Sequence, residues 1–147
     1  MSSTAASIML VDDHPLLRKG LRQLISMDDE LEVIAEASNG ADAITQGVEL
    51  DPDLILLDLN MQGMNGLETL RHLRDQGVTS RIVMLTVSDA DEDVLQAISL
   101  GADGYLLKDM EPEELLDQIK RALNGKMVLS EAVTQILATA IRNPNNK

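Results

Sequence analysis

The chain has 147 residues, 44% hydrophobic and 25% charged, which is material for one globular domain with a short appendage. It contains no run of about 18 apolar residues that could span a membrane as a helix. The absence of Cys excludes disulfides and thiolate metal centres and suits a reducing, cytoplasmic setting. A formal net charge of −13, from 12 basic and 25 acidic residues, argues against DNA binding by this chain alone, because such binding rests on neutralising phosphates with Lys and Arg.

Residues 1–6 are small and mostly polar and are expected to be a disordered N-terminus. Apolar runs then alternate with helix-period segments. Ile8-Met9-Leu10-Val11 reads as a strand buried on both faces and stops at Asp12-Asp13-His14. Pro15 sits where a first-turn proline is tolerated, and Leu16, Leu17, Leu21, Leu24 and Ile25 follow at helical spacing. Val33–Ala35 is a second strand, followed by the turn Ser38-Asn39-Gly40 and a helix over about Ala41–Leu50. Leu54–Leu57 is the third strand and ends at Asp58. A glycine-containing loop from Asn60 to Gly66 leads to a helix over about Leu67–Asp75. Ile82–Leu85 is the fourth strand, ending at Thr86, with a helix over about Glu92–Leu100 behind it. Gly104–Leu107 is the fifth strand, ending at Lys108. The fifth helix runs from Pro112 to about Asn124, with Gly125 as its stop.

This order predicts an α/β fold of (βα)5 type, a doubly wound parallel sheet with helices on both faces. Right-handed crossovers bring the strand ends carrying Asp12, Asp58, Thr86 and Lys108 to one edge. Ligands of such sheets bind beyond the carboxyl ends of the strands, where the strand order reverses. Any single Asp after a strand is more often a helix cap or turn residue, and Asp13 before His14-Pro15 would serve as one. Together, the polar strand ends make a stronger case. Three carboxylates in one crevice need a cation, and a hard oxygen set without His or Cys favours Mg²⁺. An acidic Mg²⁺ site beside a hydroxyl and an ammonium suits phosphoryl transfer to a carboxylate. His14 reads as loop surface or a kinase contact, and His72 as solvated surface.

The stretches Val11–Pro15 (VDDHP), Leu56–Met61 (LLDLNM), Leu85-Thr86 and Gly101–Lys108 (GADGYLLK) resemble the successive signatures of bacterial response-regulator receivers. The likeness covers about Ser7–Asn124. Asp12–Pro15, Met61–Gly66, Leu85–Ala90 and Tyr105–Asp109 are similar to the NarL/FixJ branch, most of all its nitrate/nitrite regulators. The resemblance implies a flavodoxin-like strand order 2-1-3-4-5. It also implies a role for each site residue. Asp58 would be the phosphoacceptor, Asp13 a direct Mg²⁺ ligand and Asp12 one acting through water, with Asn60 adding its backbone carbonyl. Lys108 and Thr86 would bind the phosphoryl oxygens, and Tyr105 would be the switch aromatic. Read without the motif, Tyr105 is equally a half-buried strand residue. Many receivers carry proline after the strand-five lysine, whereas Asp109 stands here.

Phosphorylation adds close to two negative charges and three acceptor oxygens. Thr86 drawn toward them would vacate volume into which Tyr105 turns, with Ala90–Leu100 as the moving part and the helix-four/strand-five face as the partner surface. Full switching takes about 5.5 kcal/mol of differential affinity, which a few charge-assisted hydrogen bonds of about 1.5–3 kcal/mol each could supply.

After Gly125, Ser130 is a good N-cap, and Val133, Ile136, Leu137, Ala140 and Ile141 share a helical face. The expected organisation is therefore 1–6 N-terminus, 7–125 receiver domain, and 126–147 an extra C-terminal helix and tail. By resemblance the tail links to a helix-turn-helix DNA-binding domain beyond this chain, and a sensor histidine kinase is the phosphoryl donor. A homodimer formed on phosphorylation is compatible with the resemblance, though no residue specifies one. No enzymatic turnover is expected beyond self-phosphorylation and autodephosphorylation. A stand-alone receiver in a phosphorelay is the alternative. An aspartyl phosphohydrolase would want a second acid where Asn60 stands, and a flavodoxin-like electron carrier would want aromatics and a phosphate loop that are missing.

Overall fold

The computed structural model describes residues 5–142. β1 (Ala6–Val11), β2 (Leu31–Ala37), β3 (Leu54–Leu57), β4 (Arg81–Thr86) and β5 (Gly104–Leu107) alternate with α1 (Pro15–Ser26), α2 (Gly40–Leu50), α3 (Gly66–Asp75), α4 (Asp91–Ser99) and α5 (Pro112–Leu123). Two more elements come after α5: β6 (Val128–Leu129) and α6 (Glu131–Arg142). All strand pairs are parallel, and the sheet order is β2-β1-β3-β4-β5-β6. The expected order of five strands is present, extended by a sixth. Ala6, expected in a disordered N-terminus, instead opens β1 and donates its N–H to Glu30 O at 2.9 Å. The expectations for residues 1–4 and 143–147 lie outside the described residues.

The continuous apolar runs of β1, β3, β4 and β5 are explained by burial on both faces. Successive side chains point to opposite sides of a sheet. Thus Met9, Val11, Ile55, Leu57, Ile82, Met84 and Tyr105 join one cluster with Leu70 and Leu73 of α3 and Val94 and Ala97 of α4. Ile8, Leu10, Leu54, Leu56, Val83, Leu85 and Leu106 join the other, with Leu21 and Ile25 of α1 and Leu115 and Ile119 of α5. Local signals set the helix ends. Asn39 accepts the Asp42 N–H to cap α2, Asn65 and Glu68 form a reciprocal capping box on α3, and Pro15 and Pro112 occupy first-turn positions. Gly125, at φ 88°, turns the chain after α5.

β6 is the feature that period counting misses. It runs alongside β5, with Gly104 opposite Val128 and Tyr105 opposite Leu129. The close approach depends on Gly104. A Cβ there would stand 2.4 Å from Val128 Cγ2 and 2.6 Å from its carbonyl oxygen. α6 then packs against α4, with Val133 fully buried and Ile136 and Leu137 partly so. The chain's own C-terminal elements thus lie along part of the helix-four/strand-five face expected to be a partner surface, while Glu92, Leu95, Gln96 and Ser99 of α4 stay exposed. Ser130, expected to cap the last helix through its side chain, has its hydroxyl oxygen accepting the Leu107 N–H at 2.9 Å.

Candidate phosphoacceptor site

The chain leaves β1 for β2 on one side of the sheet and returns to β3 on the other, so a crevice opens between the ends of β1 and β3. Val11 lies opposite Leu57, and the Asp58 N–H donates to Val11 O at 2.9 Å. That register sets Asp12 and Asp58 side by side, 3% and 2% exposed. Thr86, the last residue of β4, is fully buried next to them. Lys108 follows β5 and is tied down by its N–H donating to Thr86 O at 2.9 Å.

Lys108 Nζ donates to Asp12 Oδ2 at 2.9 Å and stands 3.4 Å from Asp58 Oδ2. Asp12 Oδ1 accepts from the His14 backbone N–H at 2.8 Å and meets His14 Nδ1 at 2.9 Å, and Arg18 donates to the Asp12 carbonyl. Burial pushes the Asp12 carboxyl up, but the bonds from Lys108 and His14 outweigh it and hold it below the ordinary value of 3.8. Asp58 goes the other way. Burial first, then the neighbouring Asp12 charge, raise it above 3.8, and Lys108 and the Asn60 N–H offset only part of this.

Asp13 does not cap α1. Its Oδ2 accepts from the Gln62 N–H at 3.3 Å, while its Oδ1 is buried with no hydrogen-bond partner among the described residues. Asp58 Oδ2 is buried and without a hydrogen-bond partner in the same sense. His14 Nδ1 stands 3.1 Å from Asp13 and the Lys108 ammonium 3.4 Å from Asp58, both without hydrogen-bond geometry. Ligand atoms of Asp12, Asp13, His14 and Asp58 lie within 4.8 Å of one another. Two orphaned carboxylate oxygens in an oxygen-rich cluster are the donor set that a hard divalent cation takes.

All five polar strand-end residues expected from the sequence meet here. Asn60 reaches across as well, its N–H 3.4 Å from Asp58 Oδ1 and its Nδ2 3.4 Å from Thr86 Oγ1. Tyr105 is fully buried, where the reading without the motif has it half-buried, and its hydroxyl donates to Ser88 O at 2.7 Å. Burial, followed by the charges of Asp93, Asp89 and Asp58, pushes its phenol up to about 12.

Three contributors were not legible in the sequence. His14, though 65% exposed, leans on both carboxylates. Ser88 joins the crevice to α4, since its N–H donates to Thr86 Oγ1 at 3.3 Å and its hydroxyl to Asp93 Oδ2 at 2.6 Å. Gly66 allows the Asp58 loop to sit down on α3, because a Cβ there would lie 2.3 Å from Asp58 O. A buried, cation-hungry carboxylate flanked by lysine and threonine at the switch point of a parallel sheet defines a receiver site.

Residues 8–120 match the family Response regulator receiver domain, and the chain belongs to that family, the phosphoacceptor domains of two-component signalling. It is 58% identical over 137 residues to the nitrate/nitrite response regulator protein NarL of Escherichia coli K12, covering 93% of this chain and 63% of that protein. It is 56% identical over 135 residues to NarP of the same organism, covering 92% and 63%. A LuxR-family two-component response regulator from Aurantimonas sp. SI85-9A1 superposes with a TM-score of 0.88 at 35% identity, covering 95% of this chain and 99% of that one. The chain thus spans just under two thirds of the length of the curated relatives it matches.

Proposed function

We propose that Asp58 accepts a phosphoryl group from a phosphohistidine of a sensor kinase and that the charge so placed switches the domain. The observation that carries this reading is the Asp58 carboxylate itself. It is 2% exposed, with one oxygen lacking a hydrogen-bond partner among the described residues and Lys108 within 3.4 Å. One carboxylate oxygen attacks phosphorus while the phosphorus–nitrogen bond to the donor breaks, and the imidazole leaves with a proton.

Asp13, Asp58 and the backbone carbonyl of Asn60 would hold Mg²⁺ directly, and Asp12 through water. When bound, the ion offsets the repulsion among the carboxylates and the charge on the phosphoryl oxygens. Lys108 exchanges its bond to Asp12 for one to a phosphoryl oxygen. Thr86 turns its hydroxyl toward the same group, giving up its contacts with Asn60 and Ser88.

The longer protein would be a transcription regulator with a DNA-binding output domain, acting in the cytoplasm and responsive to nitrate or nitrite. Support for this comes from the names of the relatives and from the 63% of their length that this chain spans. The same length relation disfavours a stand-alone relay.

Intact-mass measurement after incubation with acetyl phosphate tests the acceptor. One phosphoryl group should add to the wild type with Mg²⁺ and to neither Asp58→Asn nor the metal-free protein. A folded, Mg²⁺-binding wild type that stays unmodified would overturn the reading.

A further inference from the structure

In a five-stranded receiver sheet β5 is an edge, and a side chain on it can swing outward past that edge. Here β6 closes the edge beside Tyr105. The closure is held at Ser130, whose N–H donates to Tyr105 O at 3.1 Å while its hydroxyl accepts the Leu107 N–H at 2.9 Å. Ser130 therefore brackets both the aromatic residue and the residue before Lys108. Beyond it, α6 buries Val133 in the cluster that holds Tyr105 and the α4 residues Val94 and Ala97, with Leu129, Ile136 and Leu137 packed on its margin. The Tyr105 ring is fully enclosed, and its hydroxyl is bonded to Ser88, the residue that also holds Thr86 Oγ1.

We propose that β6 and α6 form a built-in clamp that keeps Tyr105 inward, so that docking of α6 and occupancy of the Asp58 site favour one and the same conformation. The proposal rests on the Asp58 reading for its second half only. The C-terminal helix is then a working part of the switch and not only a spacer. A phosphoryl group at Asp58 tightens α6 on α4, and by reciprocity docked α6 raises the affinity of the site for a phosphoryl group or its mimic. Loosening the clamp leaves a fraction of molecules with Tyr105 outward, and the apparent affinity falls by that fraction.

Tyr105 is the only aromatic residue of the chain, so its fluorescence reports on it alone. Acrylamide quenching is measured on the wild type, Val133→Asp and the milder Leu137→Ser, each verified as folded by circular dichroism. The wild type should stay shielded with or without Mg²⁺ and beryllofluoride. Both variants should be several-fold more quenchable alone and regain shielding on loading, with an affinity for beryllofluoride weakened by about three- to tenfold. Should Val133→Asp fail to fold, Leu137→Ser decides. Folded variants as shielded as the wild type would overturn the clamp. If beryllofluoride fails to bind even the wild type, the Asp58 reading and the coupling fall together, whereas the unloaded quenching comparison still decides whether the tail holds Tyr105.

Discussion

Lys108 Nζ is bonded to Asp12 at 2.9 Å, and Asp58, the carboxylate it is expected to serve, is the farther partner at 3.4 Å. The ammonium is thus parked on one acid while the other is left raised and incompletely paired. The site stores electrostatic tension that phosphoryl transfer or a cation relieves.

Asp58→Asn should therefore stabilise the metal-free protein at neutral pH by about 1 kcal/mol. The folded-state pKa of Asp58 lies above its ordinary 3.8. Its contribution to stability is then fully present below 3.8 and is lost as pH rises through the raised value. The variant and the wild type should converge in acid and separate toward neutrality, read as urea midpoints across that range. Asp12 has the opposite sign, its contribution being lost as pH falls through its lowered value.

Removing the ammonium has the reverse effect. Lys108→Met leaves Asp12 and Asp58 buried together with no lysine, which should cost about 3 kcal/mol without divalent cations. Saturating Mg²⁺ should restore much of it, since a ligand at 100 times its Kd adds about 2.7 kcal/mol to the folded state. Thermal melts with and without Mg²⁺ check both statements.

Asp13 separates metal binding from folding. Its side chain is 24% exposed, and its one hydrogen bond among the described residues is a long one from Gln62. Asp13→Asn should change stability by under about 0.5 kcal/mol in chelator. It should nevertheless abolish the rise in melting temperature that Mg²⁺ gives the wild type, and slow phosphorylation by acetyl phosphate. A full Mg²⁺ response in this variant would remove Asp13 from the ligand set.

Gly66→Ala tests the seat of the acceptor loop. The added methyl would collide with backbone, 2.3 Å from Asp58 O and 2.6 Å from Leu59 Cα, and backbone does not yield as a side chain does. Destabilisation of about 1–3 kcal/mol is expected. Phosphorylation should slow at conditions where the variant is fully folded, followed by mass over time.

The sequence by itself determined the alternation of strands and helices and, with it, the edge where Asp12, Asp13, Asp58, Thr86 and Lys108 meet. Buried parallel strands must be continuously apolar, helices carry their own caps, and crossover handedness leaves one way to arrange them. The tertiary structure alone decided the rest. Val128-Leu129 is too short to show a period, and its pairing depends on the missing side chain of Gly104, distant in sequence. The inward position of Tyr105, the lean of His14 on the acids and the choice of Asp12 by Lys108 are outcomes of competition among neighbours brought together only by folding. Periodicity along the chain reports which face of an element is buried; it does not carry which partner a buried group finds there.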